Sequence, residues 1–182
     1  MDADARFPLH DRSEVLLAAD AARLFAHLDD HRRLSSHMEK RSLMTAGASM
    51  RIETDDSNGQ AVGSVIRMTG RVLGMQLSLA EIVPAYEPPQ RKAWETVGEP
   101  QLLVIGGYRM GFEINPVPDG SRLVVFIDYR LPAKGLSLLL GRVLGGAYAA
   151  WCTRRMAEDA RAVFGVPNPT SNGRPLDEDR QD

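Results

Sequence analysis

The stretch Leu136–Phe164, LSLLLGRVLGGAYAAWCTRRMAEDARAVF, restricts the fold of this chain more than any other segment. As a helix it spans roughly 40 Å, the width of a small domain, so the remaining elements must be arranged along it. At about 100° per residue, Leu136, Leu139, Leu140, Val143, Leu144, Ala147 and Trp151 gather on one side. Ala149, Cys152, Met156, Ala160 and Val163 gather nearly opposite. The apolar stripe therefore changes face between the two halves. Gly141, Gly145 and Gly146 lie at the change, each costing about 1 kcal/mol against alanine and each able to accommodate a kink. The second half carries Arg154, Arg155, Glu158 and Asp159 on a polar side, the pattern of a helix lying on a sheet. The first half is apolar nearly all round and is expected to serve as a lid, an entrance wall or a contact surface.

The chain before this helix supplies the sheet. Ser13–Ala18 has the pattern of a short strand, and Asp20 is placed to cap a helix whose Ala21, Leu24, Phe25 and Leu28 follow i, i+3, i+4, i+7 spacing. Asp29 and Asp30 end that helix and are expected to cap a second short one running through Leu34 toward His37. From 48 to 131 the period shortens to two. Asn58-Gly59 and Asp119-Gly120 are hairpin signals, and Gly74 and Pro88-Pro89 mark further turns, so six successive strands with short connections form an antiparallel meander. The first strand makes seven. Alternation places Ile66, Met68 and Val72, then Met75, Leu77, Leu79, Glu81 and Val83, on the face toward the long helix. Tyr108, Met110, Phe112 and Ile114, and Leu123, Val125, Ile127 and Tyr129, share that face. Arg67, Arg71, Gln76, Ser78, Arg109, Glu113, Asp128 and Arg130 are expected to meet water.

Composition narrows the class. A chain of 182 residues buries a core without covalent staples, and it is most simply one domain at 13–165, with a flexible arm at 1–12 and a polar, Pro-rich, disordered tail at 166–182. Net charge is −2 with no basic patch, which argues against nucleic acid. The single cysteine excludes an internal disulfide and suits a reducing compartment. The N-terminus lacks a signal-peptide core, and no apolar run reaches the roughly 18 residues of a membrane span, so a cytoplasmic protein without an integral membrane segment is expected.

The order of elements resembles the helix-grip fold of the START-like superfamily, also called SRPBCC or Bet v 1-like. SEVLLAADAARLFAHLDDHRRLSSHM is similar to its opening strand and two short helices. LSLAEIVPAYEPPQRKAWET resembles its strand, double-proline turn and strand, and YRMGFEINPVPDGSRLVVFIDYRLP its hairpin before the last helix. Where many members carry tryptophan at the end of the second short helix, this chain has His37 and Met38. The resemblance implies an α+β fold, a seven-stranded curved antiparallel sheet wrapped around a long C-terminal helix, with two short helices after strand 1. It also implies a cavity between sheet and helix that holds a hydrophobic small molecule such as a lipid, quinone or polyketide, as in the polyketide cyclase/dehydrase-like branch.

Several residues could serve such a cavity. Glu81 shares inward parity with Leu79 and Val83, and burial raises a carboxyl pKa into the range of a general acid, a base or a hydroxyl-binding group. Tyr108 and Tyr129 sit on neighbouring inward rows, and His37 is expected near the cavity mouth. Met68, Met75, Leu79, Trp94, Met110, Ile127, Leu140, Val143, Ala147 and Trp151 complete the expected ligand-binding set. Against each stands ordinary packing. His27 and His31 are four apart, but Asp29 and Asp30 interrupt their helix and neither HExxH nor HxH occurs, so no metal is expected. No GxSxG, GxGxxG, P-loop or CxxC is present, and no cofactor is expected. Binding of an apolar ligand is the leading expectation, by a monomer or homodimer. A polyketide aromatase/cyclase using Glu81, Tyr108, Tyr129 or His37 is the enzymatic alternative, and an interaction module docking through Leu139, Leu140 and Val143 is a third.

Overall fold

A computed structural model describes residues 3–30, 49–72 and 75–167. In chain order these form α1 (Ala3–Arg6), β1 (Leu9–Leu17), α2 (Ala21–Leu28), β2 (Ser49–Thr54), β3 (Val65–Val72), β4 (Met75–Glu87), β5 (Arg91–Gln101), β6 (Gly107–Val117), β7 (Gly120–Arg130) and α3 (Gly135–Phe164). All seven strands join one antiparallel sheet in the order β1-β7-β6-β5-β4-β3-β2, a meander with the first strand added beside the last. The second short helix expected toward His37 lies outside the described residues, as do His31, Met38 and the tail from 168.

Local chemistry explains the turns. Asp20 caps α2 by accepting a hydrogen bond from Arg23 N at 2.8 Å. Asn58 and Gly59 both take left-handed φ, 52° and 76°, while the Asp55 carboxylate accepts from Ser64 Oγ at 2.6 Å and Val65 N at 2.8 Å, closing the loop between β2 and β3. At the β6–β7 hairpin, Gly120 (φ 151°) passes so close to β1 that a Cβ would lie 2.0 Å from Leu17 O. β4 runs past Pro84 to Glu87, with its register against β5 shifting between Ile82 and Ala85, where a residue without an N–H is tolerated.

The strand alternation holds at the described positions; the side chains of Arg71, Val72, Met75, Gln76 and Leu77 lie outside them. Ile66, Val83, Phe112, Ile114, Leu123 and Val125 are buried against α2 and the C-terminal half of α3, where Leu24, Phe25, Leu28, Met156 and Ala160 meet them. A second cluster, Ile105, Ile127, Tyr129 and Ala149, fills the space under the middle of α3.

Two features depart from the pattern read in the sequence. First, the buried stripe of α3 does not change face: it runs through Gly141, Gly145, Ala149, Thr153, Met156 and Ala160 along one continuous helix. The glycines are where the helix comes closest to its neighbours, since a Cβ on Gly141 would lie 2.7 Å from Pro132 Cδ and 2.9 Å from Val104 O. A stripe traced by apolar side chains skips residues whose contribution is to have none. Leu136, Leu139, Val143 and Leu144 therefore point outward, exposed by 70, 60, 71 and 45%. The apolar side chains at these four positions face away from the interior, which this half of the helix meets through Gly141 and Gly145.

Second, the far face of the sheet is not uniformly wet. β1 begins at Leu9, ahead of the expected Ser13, and α1 lies against β7 with Phe7 buried just after it. Arg6 Nη2 donates to both Glu95 carboxylate oxygens at 2.8 and 3.0 Å, and Arg109 donates to Glu95 from the neighbouring strand at 2.8 Å. Although burial pushes the Glu95 carboxyl up, the two guanidiniums hold it below its ordinary value. Phe126 covers Gly111 on this same face, where a Cβ would meet its ring at 2.8 Å.

Candidate functional site

Among the described residues, a compact polar group centred on Glu81 sits within the largely apolar interior between sheet and α3. Glu81 stands on β4 opposite Ile66 of β3 and Thr96 of β5, and its side chain is wholly buried. The Tyr108 hydroxyl, from β6, donates to Glu81 Oε1. Glu81 Oε2 is buried and makes no hydrogen bond among the described residues. Burial raises the Glu81 pKa to about 7, against the smaller opposing effects of the Tyr108 hydrogen bond and the Lys92 charge. At neutral pH the group is poised between carboxylic acid and carboxylate.

Helix α3 brings two further groups. Tyr148 and Cys152 stand one turn apart on the helix and lie beside each other. The proximity of Cys152, then burial, keeps the Tyr148 phenol well above its ordinary value. Burial pushes the Cys152 thiol up to about 12, which leaves it protonated and unreactive. Burial and the nearby Glu81 charge hold Tyr108 well above its usual range as well. Tyr108, Tyr148 and Cys152 are thus neutral groups beside a carboxyl that titrates near neutrality. The Trp151 ring tilts against Tyr148, with centroids 6.0 Å apart.

A second buried polar set closes the other side of the interior. Lys92, wholly buried on β5, donates to the Asp29 carboxylate at the end of α2. Asp29 also accepts from Tyr86 Oη at 2.8 Å and Gln60 Nε2 at 3.0 Å, and the Lys92 ammonium sits 5.4 Å from the centre of the Tyr86 ring. Burial lowers the Lys92 pKa while Asp29 and, less strongly, Glu81 raise it. These groups are saturated with partners and hold the end of α2 to the sheet.

The expected residues divide accordingly. Glu81, Leu79, Trp94, Ile127 and Tyr129 are buried inward, and Met68, Tyr108 and Met110 pack against the same clusters. Tyr108 and Tyr129 are directly opposite in register, but only Tyr108 reaches Glu81; Tyr129 lies beside α3, its hydroxyl 3.7 Å from where a Gly146 Cβ would be. Trp151 is half-buried and Leu140 partly so, whereas Val143 and Ala147 face outward. His37 and the Met75 side chain lie outside the described residues. His27 meets the Phe164 ring edge-on at 5.2 Å, and the described residues contain no cluster of His, Cys, Asp or Glu able to hold a metal. Sequence reasoning passed over Tyr148 and Lys92. Tyr148 stands four residues before Cys152, beside the inward stripe, so its signal was present, whereas the burial of Lys92 rests on Asp29.

No family profile and no curated protein sequence matches this chain. Solved structures do. A protein from Chromobacterium violaceum superposes with a TM-score of 0.57 at 14% identity, covering 85% of this chain and 96% of its own. The Zhui aromatase/cyclase from a Streptomyces species superposes at 0.56 and 16% identity, covering 86% of this chain and 96% of its own. Ara h 8.0201 superposes at 0.54 and 13% identity, covering 85% and 98%. With its seven-stranded antiparallel sheet, a long C-terminal helix against it and these structural neighbours, the chain has the helix-grip fold of Bet v 1-like proteins.

Proposed function

We propose that this protein binds an apolar small molecule between its sheet and α3, and that Glu81 with Tyr108 recognises an oxygen on that molecule. The observation that carries the reading is Glu81 Oε2, a buried carboxyl oxygen without a hydrogen-bond partner among the described residues. Such an atom costs stability unless a ligand or water completes it. A carboxyl near pKa 7 can donate to a carbonyl as the acid or accept from a hydroxyl as the anion. The apolar clusters of the same interior, with Trp94, Met110, Ile127 and Tyr148 among them, suit a ligand whose remaining surface is hydrocarbon or aromatic. The similarity to an aromatase/cyclase and to a Bet v 1-like protein supports this class of fold-and-ligand arrangement without selecting a ligand.

A second reading, acid–base catalysis on a polyketide-like carbonyl compound, is favoured by the same near-neutral carboxyl beside the Tyr108 phenol. Native mass spectrometry and thermal shift against a long-chain quinone, a fatty alcohol and an aromatic polyketide test both. Binding should weaken by about tenfold in Glu81→Gln for a ligand bearing a hydroxyl, since its charge-assisted hydrogen bond to the carboxylate is lost. Turnover of the polyketide lost in that variant selects catalysis. No adduct with any of the three, or equal affinity in the variant, refutes the role given to Glu81.

A further inference from the structure

The outward side of the first half of α3 is unlike any other surface of the described fold. Leu136, Leu139, Val143 and Leu144 are each close to half exposed or more, and Leu140 and Ala147 extend the same strip. The opposite side of the helix is pressed on the loops at Val104 and Leu131–Pro132, so this apolar strip is not the core side turned out by a loose helix. Contiguous exposed apolar surface of this kind marks a contact face.

Charge selects the partner. Between Asp128 and Glu158 the chain carries no acid, while Lys134, Arg142 and Arg154 are exposed beside the strip. A second copy of the chain would bring the same cations against these and be repelled. An anionic surface with an apolar layer beneath it satisfies both parts, the cations meeting phosphate and the leucines entering the hydrocarbon boundary. By length and composition alone α3 is also apolar enough to cross a membrane. Its contacts with β1 and β7 tie it to the sheet, so it would lie in the interface and not span.

We infer that the first half of α3 docks this protein on an anionic lipid surface, with Leu136, Leu139 and Val143 entering the headgroup region and Lys134 and Arg142 engaging phosphate. The inference stands apart from the role of Glu81. The test is co-sedimentation of the full chain with vesicles of phosphatidylcholine alone and of phosphatidylcholine and phosphatidylglycerol in equal parts. Binding should favour the anionic vesicles, fall about tenfold in Val143→Glu and severalfold in Arg142→Glu, and weaken with salt. Val163→Glu, on an exposed site at the other end of the helix, should change nothing. All three substituted positions are exposed, and unchanged circular dichroism verifies the fold. Absence of vesicle binding, or binding insensitive to Val143→Glu, overturns the inference. A concentration-dependent dimer abolished by Val143→Glu, without vesicle binding, would assign the strip to a second copy and overturn it equally.

Discussion

Replacing Glu81 by glutamine separates the electrostatic cost of that carboxyl from its packing. Its pKa stands at about 7 in the folded protein against an ordinary 4.5. Below the ordinary value the group is neutral in both states, and its contribution to stability is fully present. As pH rises the unfolded chain loses the proton first, and the contribution is lost through the folded pKa. From about pH 5 to about pH 8 the linkage integrates to roughly 2 to 3 kcal/mol, because each unit of difference corresponds to about 1.4 kcal/mol. Glutamine keeps the shape and an oxygen to accept from Tyr108 but does not titrate. Urea denaturation of both proteins across this range isolates the group, since other titrations cancel in the difference. Wild type should fall relative to Glu81→Gln by about 2 to 3 kcal/mol toward alkaline pH. A difference flat to within about 0.5 kcal/mol would refute the burial argument, and one of opposite slope would mean that Lys92 outweighs desolvation.

Two substitutions on α3 should move stability in opposite directions. Gly141→Ala brings a Cβ to 2.7 Å from Pro132 Cδ and should destabilise by about 1 to 3 kcal/mol, whereas Gly146→Ala, whose nearest neighbour is Tyr129 Oη at 3.7 Å, should gain up to about 1 kcal/mol in thermal or urea melts. Lys92→Met should cost about 3 to 5 kcal/mol by stranding the buried Asp29 carboxylate, and adding Asp29→Asn should recover much of it in the same assay. A Lys92→Met protein as stable as wild type would show that Tyr86 and Gln60 alone suffice for Asp29.

The sheet was legible because period-two alternation reports directly on which side of a strand is covered. Phe112 opposite Val125 and Ile114 opposite Leu123 are pairs that alternation alone places inward. Glu81 was legible as the exception in such a row. Lys92 and the close-packed side of α3 were not, each for its own physical reason. Lys92 is a cation whose burial depends on Asp29, a partner 63 positions away. Gly141 and Gly145 contribute by allowing approach, which no hydrophobicity pattern registers. The outer covering by Arg6 and Phe7 depends on Glu95, 89 positions from Arg6, a pairing that only the folded chain reveals.

The placement of β1 beside β7 also orders events in time. His10 bonds Asp128 at 2.8 Å across 118 positions, and α3, which packs on β1, comes later still. At ordinary rates of synthesis the first strand waits roughly ten seconds for its neighbour to be made. During that interval β2 to β6 can pair as successive hairpins, while β1 must remain an unmatched strand carrying Leu9, Leu16 and Leu17. The run from His10 through Asp11, Arg12 and Ser13 to Glu14 is polar throughout and carries charge of both signs, which keeps the waiting segment poorly suited to pairing with its own kind. The earliest residues synthesised are therefore among the last to be locked, and the fold closes only when both ends of the chain exist.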